Sequence, residues 1–144
     1  QADSGETTGL KWSDPENLKH AVALEIAASD ESTALDTSSN PRVTFRMPFA
    51  MTLNSSENGV RCSLTTAGST SGVTEVDILQ GGVSILSTTL TIDSGSLTSV
   101  GATTPVVVGT TALTDNSSMT VAVDTISGGA TEAGLKIQLI GDLT

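Results

Sequence analysis

Arg42-Val43-Thr44-Phe45-Arg46-Met47 decides the fold. Val43, Phe45 and Met47 fall on one side of an extended chain, and Arg42, Thr44 and Arg46 on the other. That period of two belongs to a strand with one face buried and one wet. Pro48 ends the run, because it cannot donate to a ladder, so a bend or strand edge is expected there. Phe45, one of only 2 Phe in the chain, is expected in the core.

The same alternation recurs on both sides of this stretch. Upstream, Val22, Leu24 and Ile26 share one face. Downstream, Ala50-Met51-Thr52-Leu53 is a short apolar piece, and Asn54 to Gly59 reads as a turn. Val60, Cys62 and Leu64 then alternate with Arg61, Ser63 and Thr65, which points Cys62 inward as a small hydrophobe. Val76-Asp77-Ile78-Leu79-Gln80 and Val83-Ser84-Ile85-Leu86 flank Gly81-Gly82. This is a hairpin signal, since primed turns need positive φ that glycine adopts at little cost. A strand over Thr88–Asp93 with Leu90 and Ile92 inward is expected to close at Ser94-Gly95. Val106-Val107-Val108 is another short run, and its apolar surface calls for cover. Met119, Val121 and Val123 alternate, as do Leu135 to Ile140 before Gly141. Eight to ten short strands with turn signals between them and no helical period predict an all-β antiparallel β-sandwich, in particular a jelly roll.

Composition agrees. The chain holds 23 Thr and 19 Ser, 42 of its 144 residues. Thr favours strands, while Ser, Gly, Asn and Asp favour turns. With 37% hydrophobic residues and a mean hydropathy of +0.11, the chain has enough apolar surface for a core. Residues 1–20, QADSGETTGLKWSDPENLKH, differ: they are polar, acidic and without alternation. Ser13-Asp14-Pro15-Glu16 there resembles the start of a short helix. The expected organisation is an extended N-terminal arm over residues 1–20 and a β-sandwich domain over residues 21–144.

Charge narrows the partners. Lys and Arg total 6 against 16 Asp and Glu, a net charge of −10. Nucleic acid binding needs clustered basic residues, so no nucleic acid is expected. An anionic membrane surface is disfavoured for the same reason. No apolar run approaches the roughly 20 residues that span a bilayer. The start QADSGETTGL has neither basic residues nor an apolar stretch, so no signal peptide is expected.

The chemistry-bearing residues are few. His20 is the single histidine and Cys62 the single cysteine. No nucleophile elbow, phosphate loop, dinucleotide fingerprint or zinc spacing occurs, so no catalytic, cofactor or metal residues are assigned and no enzyme is expected. Glu75 and Asp77 lie two apart on one strand face, a formal carboxylate pair. Asp30, Glu31, Asp36, Asp93, Asp115, Asn116 and Asp124 stand at strand ends, where oxygen ligands for calcium converge, although no calcium-loop spacing is present. Arg42, Arg46 and Arg61 are half of the basic residues. They either pair with carboxylates across strands or, if their strands are neighbours, form one positive face for an acidic partner such as another copy of the chain. In the arm, Leu10, Trp12 and Leu18 make an apolar strip. Tryptophan is enriched where few residues carry an interface, so Trp12 either anchors the arm to a partner or folds back on its own domain.

The run from Leu24 to Leu35, with Val43-Thr44-Phe45-Arg46-Met47-Pro48-Phe49-Ala50-Met51-Thr52-Leu53, resembles a segment of virion structural proteins of tailed bacteriophages from aquatic hosts. Ser84-Ile85-Leu86-Ser87-Thr88 with Leu90-Thr91-Ile92-Asp93, and Gly134-Leu135-Lys136 with Leu139-Ile140-Gly141, fit the same family. Gly9-Leu10-Lys11-Trp12 resembles the lead-in found before such domains. The resemblance implies a protein of the virion surface, made in the host cytoplasm: a capsid decoration or head-fibre protein. It would self-associate, as a trimer, and contact other virion proteins such as the major capsid protein or a fibre base. The alternative is the tip of a tail fibre that binds a host receptor or surface glycan. The shortage of aromatic residues, on which sugar rings usually stack, counts against that alternative.

Overall fold

A computed structural model describes residues 20–144. The helix start expected at Ser13–Glu16 and the arm residues Leu10, Trp12 and Leu18 lie outside the described residues. The expected antiparallel β-sandwich is what forms, from twelve short strands.

One sheet is built on β12 (Lys136–Leu143). Strand β1 (Ala21–Ala27) pairs along one side of it, from Ala21 opposite Asp142 to Ala27 opposite Lys136. The other side is shared end to end. There β3 (Met51–Leu53) meets residues 141–143, and β4 (Val60–Ser63) meets residues 136–139. A 3-10 turn over Ser56–Asn58 separates those two strands, and β10 (Ala112–Leu113) pairs with β3 outside them. The strand expected to stop before Gly141 runs through it. A Cβ on Gly141 would lie 2.1 Å from the Thr52 carbonyl oxygen, so glycine here permits close strand approach rather than a turn.

The second sheet is built on β11 (Ser118–Thr125), with β2 (Val43–Arg46) on one side and β5 (Val73–Gln80) on the other. Beyond β5, the hairpin strand β6 (Val83–Ser84) and β8 (Leu90–Asp93) each cover part of its length. Gly81 and Gly82 make the expected two-residue turn, with φ of +60° and +87°. The run after it does not continue as one strand. The Ser84 hydroxyl donates to Asp77 Oδ1 at 2.6 Å and accepts from the Leu86 N–H at 3.0 Å, which turns the chain out of the sheet. Leu86 to Thr88 then form β7, paired with β9 (Val107–Val108) in a separate ribbon.

Both sheets contribute to one core. Val60, Cys62, Ile137 and Leu139 from the first meet Val76, Ile78, Leu90, Met119, Val121 and Val123 from the second. Alternation holds along the central strands: Thr74, Val76 and Ile78 are buried while Glu75 and Asp77 face out. Phe45 departs from expectation. It is half-buried and packs against the core rather than within it, because β2 is the edge strand of its sheet and only Met119 lies beside it. In Val106-Val107-Val108, Val106 is buried and only Val107 is largely exposed. No described helix is long and apolar enough to cross a membrane.

Candidate functional site

The chemistry-bearing side chains are mostly engaged in holding loops. Asp30 accepts the N–H groups of Ser32 and Thr33 at 2.9 and 2.6 Å. These backbone bonds hold its carboxyl down, to about 2. Asp36 does the same for Ser38 and Ser39. Their hydroxyl and N–H groups, the Ser38 hydroxyl first, press its carboxyl far below the usual range. Asp93 Oδ2 accepts both the N–H and the hydroxyl of Thr103 at 2.9 Å. The acidic residues at strand ends, whose oxygens could have converged, are therefore dispersed over separate turns. Among the described residues no group of three His, Cys, Asp or Glu is placed to hold a metal ion.

The three arginines do not share a face through adjacent strands. Arg42 precedes β2 and Arg46 is its last residue in one sheet, and Arg61 lies on β4 in the other. Each has its own local acceptor. Arg42 ion-pairs with Asp36 at 3.3 Å and donates to the Asp36 carbonyl. Arg46 donates to the Asn116 carbonyl at 3.0 Å, and Arg61 to the Glu57 carbonyl at 2.6 Å. The acceptors are chiefly loop carbonyls, not the cross-strand carboxylates expected from the sequence. The single positive face is thus replaced by three separated loop clamps, of which Arg46 keeps an exposed side chain.

Cys62 lies in the core at 1% exposure. Burial pushes its thiol up to about 12, so it stays protonated and shielded at neutral pH. His20 is exposed at the start of β1, and its carbonyl accepts the Leu143 N–H.

Two features escaped the sequence. On the outer face of the second sheet, Glu75 and Asp77 are joined by Asp124. A bulge between Val123 and Thr125 inserts Asp124 as an extra residue opposite them. Burial, and then the charges of Asp77 and Glu75, raise its carboxyl. The strand periodicity placed Glu75 and Asp77 correctly, but nothing in Val123-Asp124-Thr125 marks a bulge. The second feature is Glu132, 1% exposed beneath the loops that carry Gly68 and Gly128. Its Oε1 accepts the Thr74 hydroxyl and the Ser127 N–H, both at 3.0 Å, and the Ser127 hydroxyl as well. Its Oε2 is buried without a partner. Burial by itself would raise this carboxyl, but the hydrogen bonds from Ser127 and Thr74 outweigh it and leave the group below its ordinary value. Gly68 is the one sequence signal: a Cβ there would meet Glu132 Oε1 at 2.6 Å and the Ser127 hydroxyl.

Chemically, the described residues present a frame of short strands and tied-down loops with an outer face of hydroxyls and carboxylates. Among them Glu132 is the one fully buried carboxylate, and it holds loops together. Comparison with protein-family models, with curated proteins and with solved structures found no match.

Proposed function

We propose that the chain is a structural protein of a phage virion exterior, a capsid decoration or head-fibre protein that docks through its N-terminal arm. The observation that carries this reading is the strand order. The chain crosses between sheets in turn: β1 in the first, β2 in the second, β3 and β4 in the first, β5 in the second, β10 in the first, β11 in the second and β12 in the first. That alternation supports a jelly roll, the architecture expected from the strand pattern and one common in particle shells. The outer face fits the role, being built from short side chains and carboxylates that remain soluble at high local density. Loops tied down by Asp30, Asp36, Asp93 and Glu132 suit a domain that is displayed rather than one that opens around a substrate.

Docking is assigned to Leu10, Trp12 and Leu18, with Arg46 as an exposed contact on the domain. Particles purified from an infected culture that carries the gene, stained with antibody against residues 21–144, test the reading. Labelling over the head exterior is expected, and its loss in a Trp12→Ala variant that melts like the parent would assign the arm. Purified particles without the protein would overturn the virion reading, and label confined to tail tips would favour receptor binding.

A further inference from the structure

Strand β1 ends its sheet, and among the described residues it pairs with β12 alone. The Leu143 N–H donates to the His20 carbonyl at 3.0 Å and the Ala28 N–H to the Leu135 carbonyl at 2.8 Å. These two bonds fix the phase. Even-numbered residues of β1 turn their backbone groups toward β12, so Ala21, Ala23, Glu25 and Ala27 turn theirs to the open edge. The other sheet edges are shorter, β8 spanning 4 residues, or are blunted. Strand β2 lies between Pro41 and Pro48, while β6 and β10 are two residues long. The outer side of β4 is covered, since Leu64 donates to the Leu97 carbonyl and Ser99 to that of Cys62. Strand β1 spans 7 residues and carries no Pro, Lys or Arg of the kind that usually protects an edge. Its inward residues Val22, Leu24 and Ile26 are only half-buried, whereas Ile137 and Leu139 beside them on β12 are fully covered.

We propose that the open edge of β1 is an interface between two copies of this chain, each adding its β1 antiparallel to the other about a two-fold axis at Leu24. The occupant follows from self-complementarity. With the axis at Leu24, Val22 opposes the second copy's Ile26 and Leu24 opposes its counterpart, so the half-buried apolar face is covered by its like. On the outer face Ala21 opposes Ala27 and Ala23 opposes Glu25. An axis at Glu25 would set two carboxylates against each other, and an axis at Ala23 would leave Ile26 and Ala27 without strand partners. A shift by one residue would bring inward residues opposite outward ones. Glu25 is already held on its own subunit, where its Oε2 accepts from Gln138 Nε2 at 2.8 Å. The paired edges would join two five-stranded sheets into one, an isologous contact that closes at two copies. This contact makes a dimer where the phage resemblance implies a trimer, and the virion reading depends on neither number: a chain found on particles yet monomeric in solution would overturn the contact alone.

Sedimentation of the full-length chain over a range of concentrations is expected to show a monomer–dimer equilibrium. Ala23→Pro removes an edge donor without touching the β1–β12 ladder and is expected to abolish the dimer. Should that variant fold poorly, Ala23→Glu and Ala23→Lys change only the exposed face. The first sets two pairs of carboxylates in opposition and the second two Lys–Glu pairs. They are expected to weaken and tighten the dimer, respectively, by about two- to thirtyfold. Leu24→Cys stands opposite itself at a non-hydrogen-bonded position, where strand disulfides fit, and is expected to cross-link on mild oxidation while Cys62 stays buried. A wild-type chain that is monomeric at high micromolar concentration, one that is trimeric, or a dimer indifferent to the Ala23 variants would each overturn the proposal.

Discussion

Replacing Glu132 should separate two effects that its position combines. Glu132→Ala removes an acceptor that three groups share, namely the Ser127 N–H, the Ser127 hydroxyl and the Thr74 hydroxyl. The hydroxyls can rotate toward other acceptors, and the Ser127 N–H keeps only a long bond, 3.4 Å, to the Thr74 hydroxyl. Losing the hydrogen bonds to a charged acceptor costs about 1.5–3 kcal/mol, and leaving the N–H with this weaker acceptor adds to it, so a total near 2–4 kcal/mol is expected. That is a large share of the roughly 7–20 kcal/mol a domain of this size commonly has. Glu132→Gln keeps a carbonyl oxygen for the Ser127 N–H and is expected to cost about 1–3 kcal/mol, the charge-assisted part. The acid dependence provides an independent check. Because the folded carboxyl lies below its ordinary value, it binds a proton more weakly than in the unfolded chain. Its contribution is therefore present above the ordinary carboxylate range and is lost as pH falls through the folded value. Urea unfolding at neutral pH and at successively lower pH measures both effects. The wild-type midpoint should fall faster with acid than that of Glu132→Gln. A Glu132→Ala variant within about 1 kcal/mol of the parent would refute the lock, showing that desolvating the carboxylate cancels its bonds.

The remaining predictions are briefer. Met119→Ala, at a fully buried site between β2 and β5, should cost about 2–5 kcal/mol, while Phe45→Ala at its half-buried edge site should fall below the roughly 3–5 kcal/mol of a buried aromatic. Chemical denaturation of both variants checks the order, and a larger loss at Phe45 would place the core wrongly. Cys62 should resist a thiol reagent at pH 8 in the native protein and react fully once it unfolds, as timed labelling with mass spectrometry would show. Fast native labelling would contradict its burial and its raised thiol. Gly141→Ala should destabilise markedly, because the new methyl meets the Thr52 carbonyl at 2.1 Å. A melting temperature equal to the parent's would mean that β3 and β12 can part without cost.

What was legible in the sequence is what periodicity carries. Alternation in Val43–Met47, Val60–Leu64, Val76–Gln80, Met119–Val123 and Leu135–Ile140 found the strands and mostly their buried faces, because one-sided burial imposes a period of two wherever a sheet has a core. Gly81-Gly82 found a turn because only the turn chemistry was needed. Phe45 shows where the pattern stops. Alternation tells which way a side chain points, but not whether its strand is central or at an edge. The sandwich put Phe45 on β2, beside a single neighbouring strand.

The loop chemistry was legible as residue type and not as partnership. Asp30 and Asp36 looked like oxygen ligands at strand ends, yet each is followed by hydroxyl residues two and three positions on. That spacing lets a carboxylate cap its own turn. Such a local reading explains both aspartates with no ligand at all. Glu132 is the opposite case. Its partner Thr74 is 58 residues away, beyond any window of sequence, and Ser127, 5 residues away, lies at no spacing by which a carboxylate caps its own turn. The three arginines fail for the same reason, since whether they share a face is decided by strand order, and β2 and β4 belong to different sheets. Strand order is also what exposes the edge of β1. Val22, Leu24 and Ile26 read as an ordinary buried face, and only the placement of β1 outside β12 shows that this face is unfinished. A short β-domain with few aromatic residues closes its core where strands are central and leaves it open at the ends of its sheets. An edge of 7 residues with half-buried Val22, Leu24 and Ile26 and no Pro, Lys or Arg is therefore where contact with another chain would add most.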